Sequence, residues 1–163
     1  MVSEPEGSKA YRKQRGQAAV EFALTVVFLM ILVVAFIELI MLFYTYNVLA
    51  DSAKEGVRYA IVHGSRNGSP SGPTSGGGTI TPPCTSSNAS TTNVTNVQNA
   101  VTTYTAMSLH DSTAMSVNVC YFDGDNKAPH NVGVTVNYPY QPFFGLGWPT
   151  VTVNAAAQGR IMY

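Results

Sequence analysis

From Ala18 to Tyr46 the chain reads AAVEFALTVVFLMILVVAFIELIMLFYTY, 29 residues in which only Glu21 and Glu38 carry charge. No other stretch restricts the possible folds as strongly. At about 1.5 Å rise per residue it makes a helix of roughly 43 Å, longer than the ~30 Å hydrocarbon core of a bilayer. Lys9, Arg12, Lys13 and Arg15 crowd the segment just before it. The positive-inside bias therefore keeps residues 1–16 in the cytoplasm and sends the chain after Asn47 outside. A cleaved secretory signal has the same basic start, and Val48-Leu49-Ala50 offers small residues for a cut that would leave Asp51 as N-terminus. Its apolar core is usually only ~7–15 residues, however, so the length here favours an uncleaved anchor over residues 17–46.

Helical periodicity continues beyond the apolar run. In NVLADSAKEGVRYAIVH, residues 47–63, Val48, Leu49, Ser52, Ala53, Gly56, Tyr59 and Ala60 recur at spacings of three and four, while Asp51, Lys54, Glu55 and Arg58 fall largely elsewhere. That pattern predicts an extracytoplasmic continuation of the helix, with Gly56 packed close to another element and a stop near Gly64. Residues 64–92, rich in Gly, Ser, Thr and Pro, read as a loop with too little apolar surface to fold alone. Val94, Val97, Val101, Tyr104 and Leu109 then predict a short helix, with Thr92 or Asn93 as cap. After it the period changes to two. Met115 to Tyr121, Val132 to Tyr140 and Val151 to Ala157 alternate apolar and polar residues, predicting three half-buried strands in an antiparallel meander. The fold class is thus α+β: a long transmembrane helix leading into a domain, residues 93–163, of one helix and a three-stranded sheet.

Two cysteines outside the cytoplasm favour a disulfide between Cys84 and Cys120, which would pin the loop to the sheet. By loop-closure entropy such a bond stabilises by about 4 kcal/mol. Asp123-Gly-Asp-Asn126 is shaped like an acidic cation loop but lacks the distant bidentate glutamate, so a simple hairpin turn is expected. Residues 141–149 carry Phe143, Phe144, Leu146 and Trp148, which either close the core or present a patch to a partner. Opposite charges balance at nine each, leaving no basic field for nucleic acid. His63, His110 and His130 match no metal spacing and sit beside no nucleophile pattern. We expect no cofactor, no metal and no catalysis; the role is structural or in assembly.

Glu21 needs a reason to sit four residues into an apolar run, where an acidic residue at the helix centre costs about 2.5–3.5 kcal/mol. One reading is an interfacial carboxylate favoured by the dipole of the first helical turn. Another starts from Lys13-Gln-Arg-Gly-Gln-Ala-Ala-Val-Glu21, which resembles the processing site of type IV prepilins. That resemblance implies cleavage after Gly16 by a prepilin peptidase, with Gln17 as first mature residue and Glu21 as fifth. Gln17 departs from the aromatic or Met usual there in major pilins. The wider pattern, RGQAAVEFAL followed by Ala53-Lys-Glu-Gly-Val-Arg-Tyr-Ala60, resembles the TadE-like family of tight adherence (Flp) pilus assembly. The resemblance covers about the first 63 residues. It implies a minor pilin or pseudopilin, with Glu21, Phe22 and Glu38 engaged in assembly and with pilus subunits and tight adherence proteins as partners, homo-oligomers included. Glu38, about 260° around the helix from Glu21, does not share its face; it is either a protonated or snorkelling glutamate or a contact for a partner helix. A permanently anchored, unprocessed binding module is the alternative function.

Overall fold

The structure, a computed structural model, describes residues 7–73, 78–87, 92–109, 111–142, 144 and 149–163; for residues 7–15 and 92 only the backbone is described. Two compact units are formed, Met1–Ile40 and Met41–Tyr163. The first helix, α1, is Gly7–Val62 and is common to both. It begins earlier than the apolar run requires, because residues 8–15 contain no proline and are mostly good helix formers. It ends just before the expected Gly64. There the Asn67 side chain donates to the Val62 carbonyl at 3.0 Å, satisfying one of the acceptors a helix end leaves open.

Within Met41–Tyr163, helix α2 is Thr92–Ala106 and three strands follow: β1 (Ser116–Tyr121), β2 (Asn131–Tyr140) and β3 (Val151–Arg160). Their order is β1-β2-β3 and both pairings are antiparallel, as a meander requires. The register aligns Val117, Val119 and Tyr121 with Val136, Val134 and Val132, and these with Ala155, Ala157 and Gly159. One face of the sheet is therefore apolar across all three strands. Leu49, Ala53, Val57 and Ala60 of α1 and Val94, Val97 and Val101 of α2 cover it in one core. Gly56 is where three elements meet. A Cβ there would overlap the Val101 side chain and stand 3.3 Å from a methyl of Val134.

Two residues depart from the periodicity reading. Val57 is buried although the stripe omits it; it lies four residues after Ala53 and three before Ala60. In α2, Thr105 rather than Tyr104 continues the buried stripe. Its hydroxyl donates to the Val101 carbonyl at 2.8 Å, which removes the penalty of burying it. Pro139 sits inside β2 without cost to the ladder. The Phe122 amide bonds the Asn131 carbonyl, so odd-numbered β2 residues direct their backbone to the β1 side. There β1 has already ended, its last partner being Asn137.

The polar loop is held down by three ties. Ser71 is buried, its amide donating to the His63 carbonyl at 2.7 Å, and its carbonyl accepts the Tyr121 hydroxyl at 2.9 Å. The Ile80 amide donates to the Phe122 carbonyl at 3.0 Å. Cys84 and Cys120 are joined in a disulfide, and with Phe122 they form a small second cluster. Gly133 belongs to this side of the sheet, since a Cβ on it would meet the Phe122 ring. The loop thus covers the far face of β1 and β2.

The connection between β1 and β2 is longer than the simple hairpin turn expected. It runs from Phe122 to His130, with Gly124 at φ 84°. Its carboxylates are spent on the loop itself: Asp123 accepts the Asn131 amide at 2.9 Å, and Asp125 pairs with His130 and, at 3.1 Å, with Lys127. Of the aromatic loop, Phe144 is 41% exposed. Phe143, Leu146 and Trp148 lie outside the described residues, as does His110.

Candidate membrane and assembly site

By length and composition α1 can cross a membrane. Most of its apolar side chains from Val20 to Phe43 are exposed, the distribution of a segment meant for lipid rather than for a protein core. Phe22 is 72% exposed. Glu21, also exposed, does not stand alone: the Gln17 side-chain amide donates to its carboxylate at 3.3 Å, one turn earlier on the same helix face. The prepilin resemblance points only to the α-amine that Gln17 would expose on cleavage. For the side-chain pair, the spacing of four between an amide and a carboxylate is the signal in the sequence.

Gly16 stands immediately before this pair, and a Cβ built on it meets nothing within 4 Å. Glycine is also the weakest helix former after proline, by about 1 kcal/mol against Ala. Opening the helix at this position therefore costs less than at its neighbours. Glu38 differs from Glu21 in environment as the angular separation implies, being only 5% exposed. Thr45, one of the few polar residues nearby, is buried with its hydroxyl on the Met41 carbonyl at 2.9 Å.

Near the end of the apolar run, Tyr44 donates its hydroxyl to the Ser108 carbonyl at 3.1 Å, tying the turn after α2 to α1. The charged side of α1 carries the pairs Lys54–Asp51 at 2.9 Å and Arg58–Glu55 at 3.9 Å, both well exposed and so of little consequence for stability. His63 stacks on Tyr59, with ring centroids 4.0 Å apart, and its Nδ1 lies 2.9 Å from the Tyr59 carbonyl. Among the described residues no group of three His, Cys, Asp or Glu side chains is placed to hold a metal ion.

Two titrating groups are displaced from their ordinary values. Burial pushes the Tyr121 phenol up to about 12, only partly offset by its hydrogen bond with Ser71. Asp125 is pulled the other way. Burial alone would raise it, but hydrogen bonds from His130 and Lys127 outweigh that and hold the carboxyl below its usual range. Tyr121 holds the polar loop through Ser71, and Asp125 holds the connection between β1 and β2.

The chemistry of the site is therefore that of insertion and helix contact: a long apolar surface, one exposed carboxylate near its start and one buried carboxylate further along. Residues 16–58 match the model of a family described as TadE-like protein, and the match begins at Gly16. No curated protein and no solved structure matches the chain.

Proposed function

Taking residues 16–58 as TadE-like, we propose that this chain is a minor pilin or pseudopilin that assembles or initiates a tight adherence (Flp) pilus. A prepilin peptidase of the cytoplasmic membrane cuts after Gly16, and the mature protein begins at Gln17. The basic cluster Lys9 to Arg15 holds the leader in the cytoplasm, and residues after Asn47 stand outside. The observation that carries this reading is an exposed Glu21 five residues after a glycine that nothing crowds, at the head of a helix otherwise dressed for lipid.

Cleavage changes the electrostatics of that end. The freed α-amine of Gln17, with a reference pKa near ~7.7–8.0, is largely protonated at neutral pH. In surroundings of low dielectric it attracts the Glu21 carboxylate of a neighbouring subunit strongly and sets the axial register of helix packing. Phe22 then lies at the same level as this pair and adds apolar contact to it. In the uncut chain the Gln17 amide already holds Glu21, which suits a precursor that waits in the membrane.

The test is the N-terminus of the protein taken from its own host, read by mass spectrometry. Gln17 is expected; an intact Met1 or Val2 would instead establish a tethered, unprocessed binding module. Glu21→Ala should leave that cut largely in place and lower pilus formation. Normal piliation in this variant would remove the pairing argument.

A further inference from the structure

Where the apolar run ends, the sheet domain has already begun. The unit Met41–Tyr163 contains the last residues of that run, Met41 to Tyr46, and its core reaches back to Leu42. Thr45 is buried as well. The same turns present Met41, Phe43, Tyr44 and Tyr46 outward, and Phe43 is 57% exposed. Protein thus covers one side of these turns while the other side, at the same height, stays apolar and open. A phenylalanine so exposed suits lipid, and the two tyrosines suit the headgroup layer, where an apolar ring and a polar hydroxyl are both satisfied.

One segment of the domain is held at that height by a bond. The Tyr44 hydroxyl donates to the Ser108 carbonyl at 3.1 Å, so the turn after α2, Met107 to Leu109, comes down to the end of the run. Met107 is 77% exposed, and Leu109 packs against the core. Residues 92–109 carry no charged side chain. Charges gather at the opposite end. Ser65, just past α1, donates its amide to the Asn126 carbonyl at 3.0 Å, and the Arg160 side chain donates to the Pro129 carbonyl at 2.9 Å. Arg66, Asp123, Asp125, Lys127 and Arg160 therefore surround the far end of α1, about 27 Å along the helix from Tyr44. After Gly64 the one other charged residue is Asp111, whose carboxylate accepts the Thr113 amide and hydroxyl.

We propose that the turn Met107–Leu109 rests in the headgroup layer of the bilayer and gives the sheet domain a second contact with lipid beside α1. The lengths agree. The apolar run makes roughly 43 Å of helix, against ~30 Å of hydrocarbon and ~40–45 Å with both headgroup layers included. Its last turns thus fall among headgroups, and what is bonded to Tyr44 falls there too. Met107 brings a flexible apolar side chain to that layer, and an uncharged turn enters it without the cost of desolvating a charge. Contacts on two different elements restrain the domain from turning about α1.

This inference rests on α1 crossing the membrane and holds whether or not the leader is cut. It is tested on the full chain in phosphatidylcholine vesicles containing a lipid with a nitroxide on its headgroup. Trp148, the one tryptophan, is replaced by Phe, and a new tryptophan is introduced singly by Phe28→Trp, Met107→Trp or Lys127→Trp. The headgroup nitroxide should remove most of the emission of Met107→Trp and little of that of Lys127→Trp. With the nitroxide moved to the middle of the acyl chain, Phe28→Trp should lose the most. Weak and equal quenching of Met107→Trp and Lys127→Trp would overturn the proposal, and quenching of Phe28→Trp alongside it would leave the membrane helix standing. An unquenched Phe28→Trp would remove both. Because residues 92–109 are uncharged, phosphatidylcholine alone should suffice, and quenching of Met107→Trp that requires an anionic lipid would also overturn the proposal. Should Met107→Trp disturb the turn, the unsubstituted chain gives the same answer: the headgroup nitroxide should broaden the amide resonances of Ser108 and Leu109 and leave that of Lys127 sharp, and equal sharpness would overturn the proposal.

Discussion

The crowding at Gly56 yields a prediction with a sign that neither residue alone supplies. Replacing Gly56 by Ala removes a glycine from the interior of α1, a gain of about 0.8–1.0 kcal/mol in helix propensity. The new methyl overlaps the Val101 side chain, which is β-branched and stiff, and it meets Val134 on the other side. Overpacking of this kind costs about 1–3 kcal/mol, so the single substitution should be destabilising by about 1 kcal/mol on balance. Val101→Ala deletes two buried methyls, about 0.8 kcal/mol each by transfer, and the cavity brings the total to about 2–3 kcal/mol. When both substitutions are combined, the methyl added at position 56 enters the space that Val101 has left. The double variant should therefore be more stable than the sum of the singles predicts, by at least about 1 kcal/mol. Thermal unfolding of the full chain in detergent, followed by near-ultraviolet circular dichroism without reductant, would read that as roughly 4 °C. Additivity within about 0.5 kcal/mol would refute the three-element contact.

Cys84→Ser should lower the stability of the sheet domain by about 4 kcal/mol under oxidising conditions, from the loop closed over a separation of 36 residues. Under reductant it should differ little from the wild type, so an equal deficit in both conditions would show that packing rather than the bond is at stake. Stability should also fall at both ends of the pH scale. Tyr121 is raised in the folded state, so its contribution is complete below pH 10.0 and is lost as pH rises towards about 12. Asp125 is lowered, so its contribution is present above its ordinary value of 3.8 and disappears as pH falls below it. Denaturant titrations of wild type, Tyr121→Phe and Asp125→Asn check this: each variant should flatten its own limb of the profile and leave the other intact.

What can be read in advance is whatever has a period. The apolar run declares its helix because no soluble partner could cover it on all sides. The alternation at Val117 to Tyr121, Val132 to Tyr140 and Val151 to Ala157 declares strands because only every second side chain has to leave water. The two cysteines lie outside any such pattern, yet their pairing follows from the setting expected of the chain after the apolar run, where thiols are oxidised. Val57 and Thr105 escape the periodicity for a common reason. Each sits at the border of a helical stripe, where a shift of one position exchanges buried for exposed, and the width of the stripe is set by the partner surface. Tyr104, placed on the stripe by spacing, is accordingly 36% exposed.

By itself the sequence determined the elements, their order and a first helix long and apolar enough to cross a membrane. It did so because helix, strand and lipid insertion depend on neighbours three, four or two positions away. Only the tertiary structure decided what long-range contact decides: that Gly56 lies against both Val101 and Val134, that Ser71 closes over Tyr121, and that Gln98 and Ser87 bond the Val117 carbonyl and the Val119 amide on the outer side of β1. Such contacts join positions tens of residues apart, and no local pattern records whether a backbone group far along the chain has found its partner.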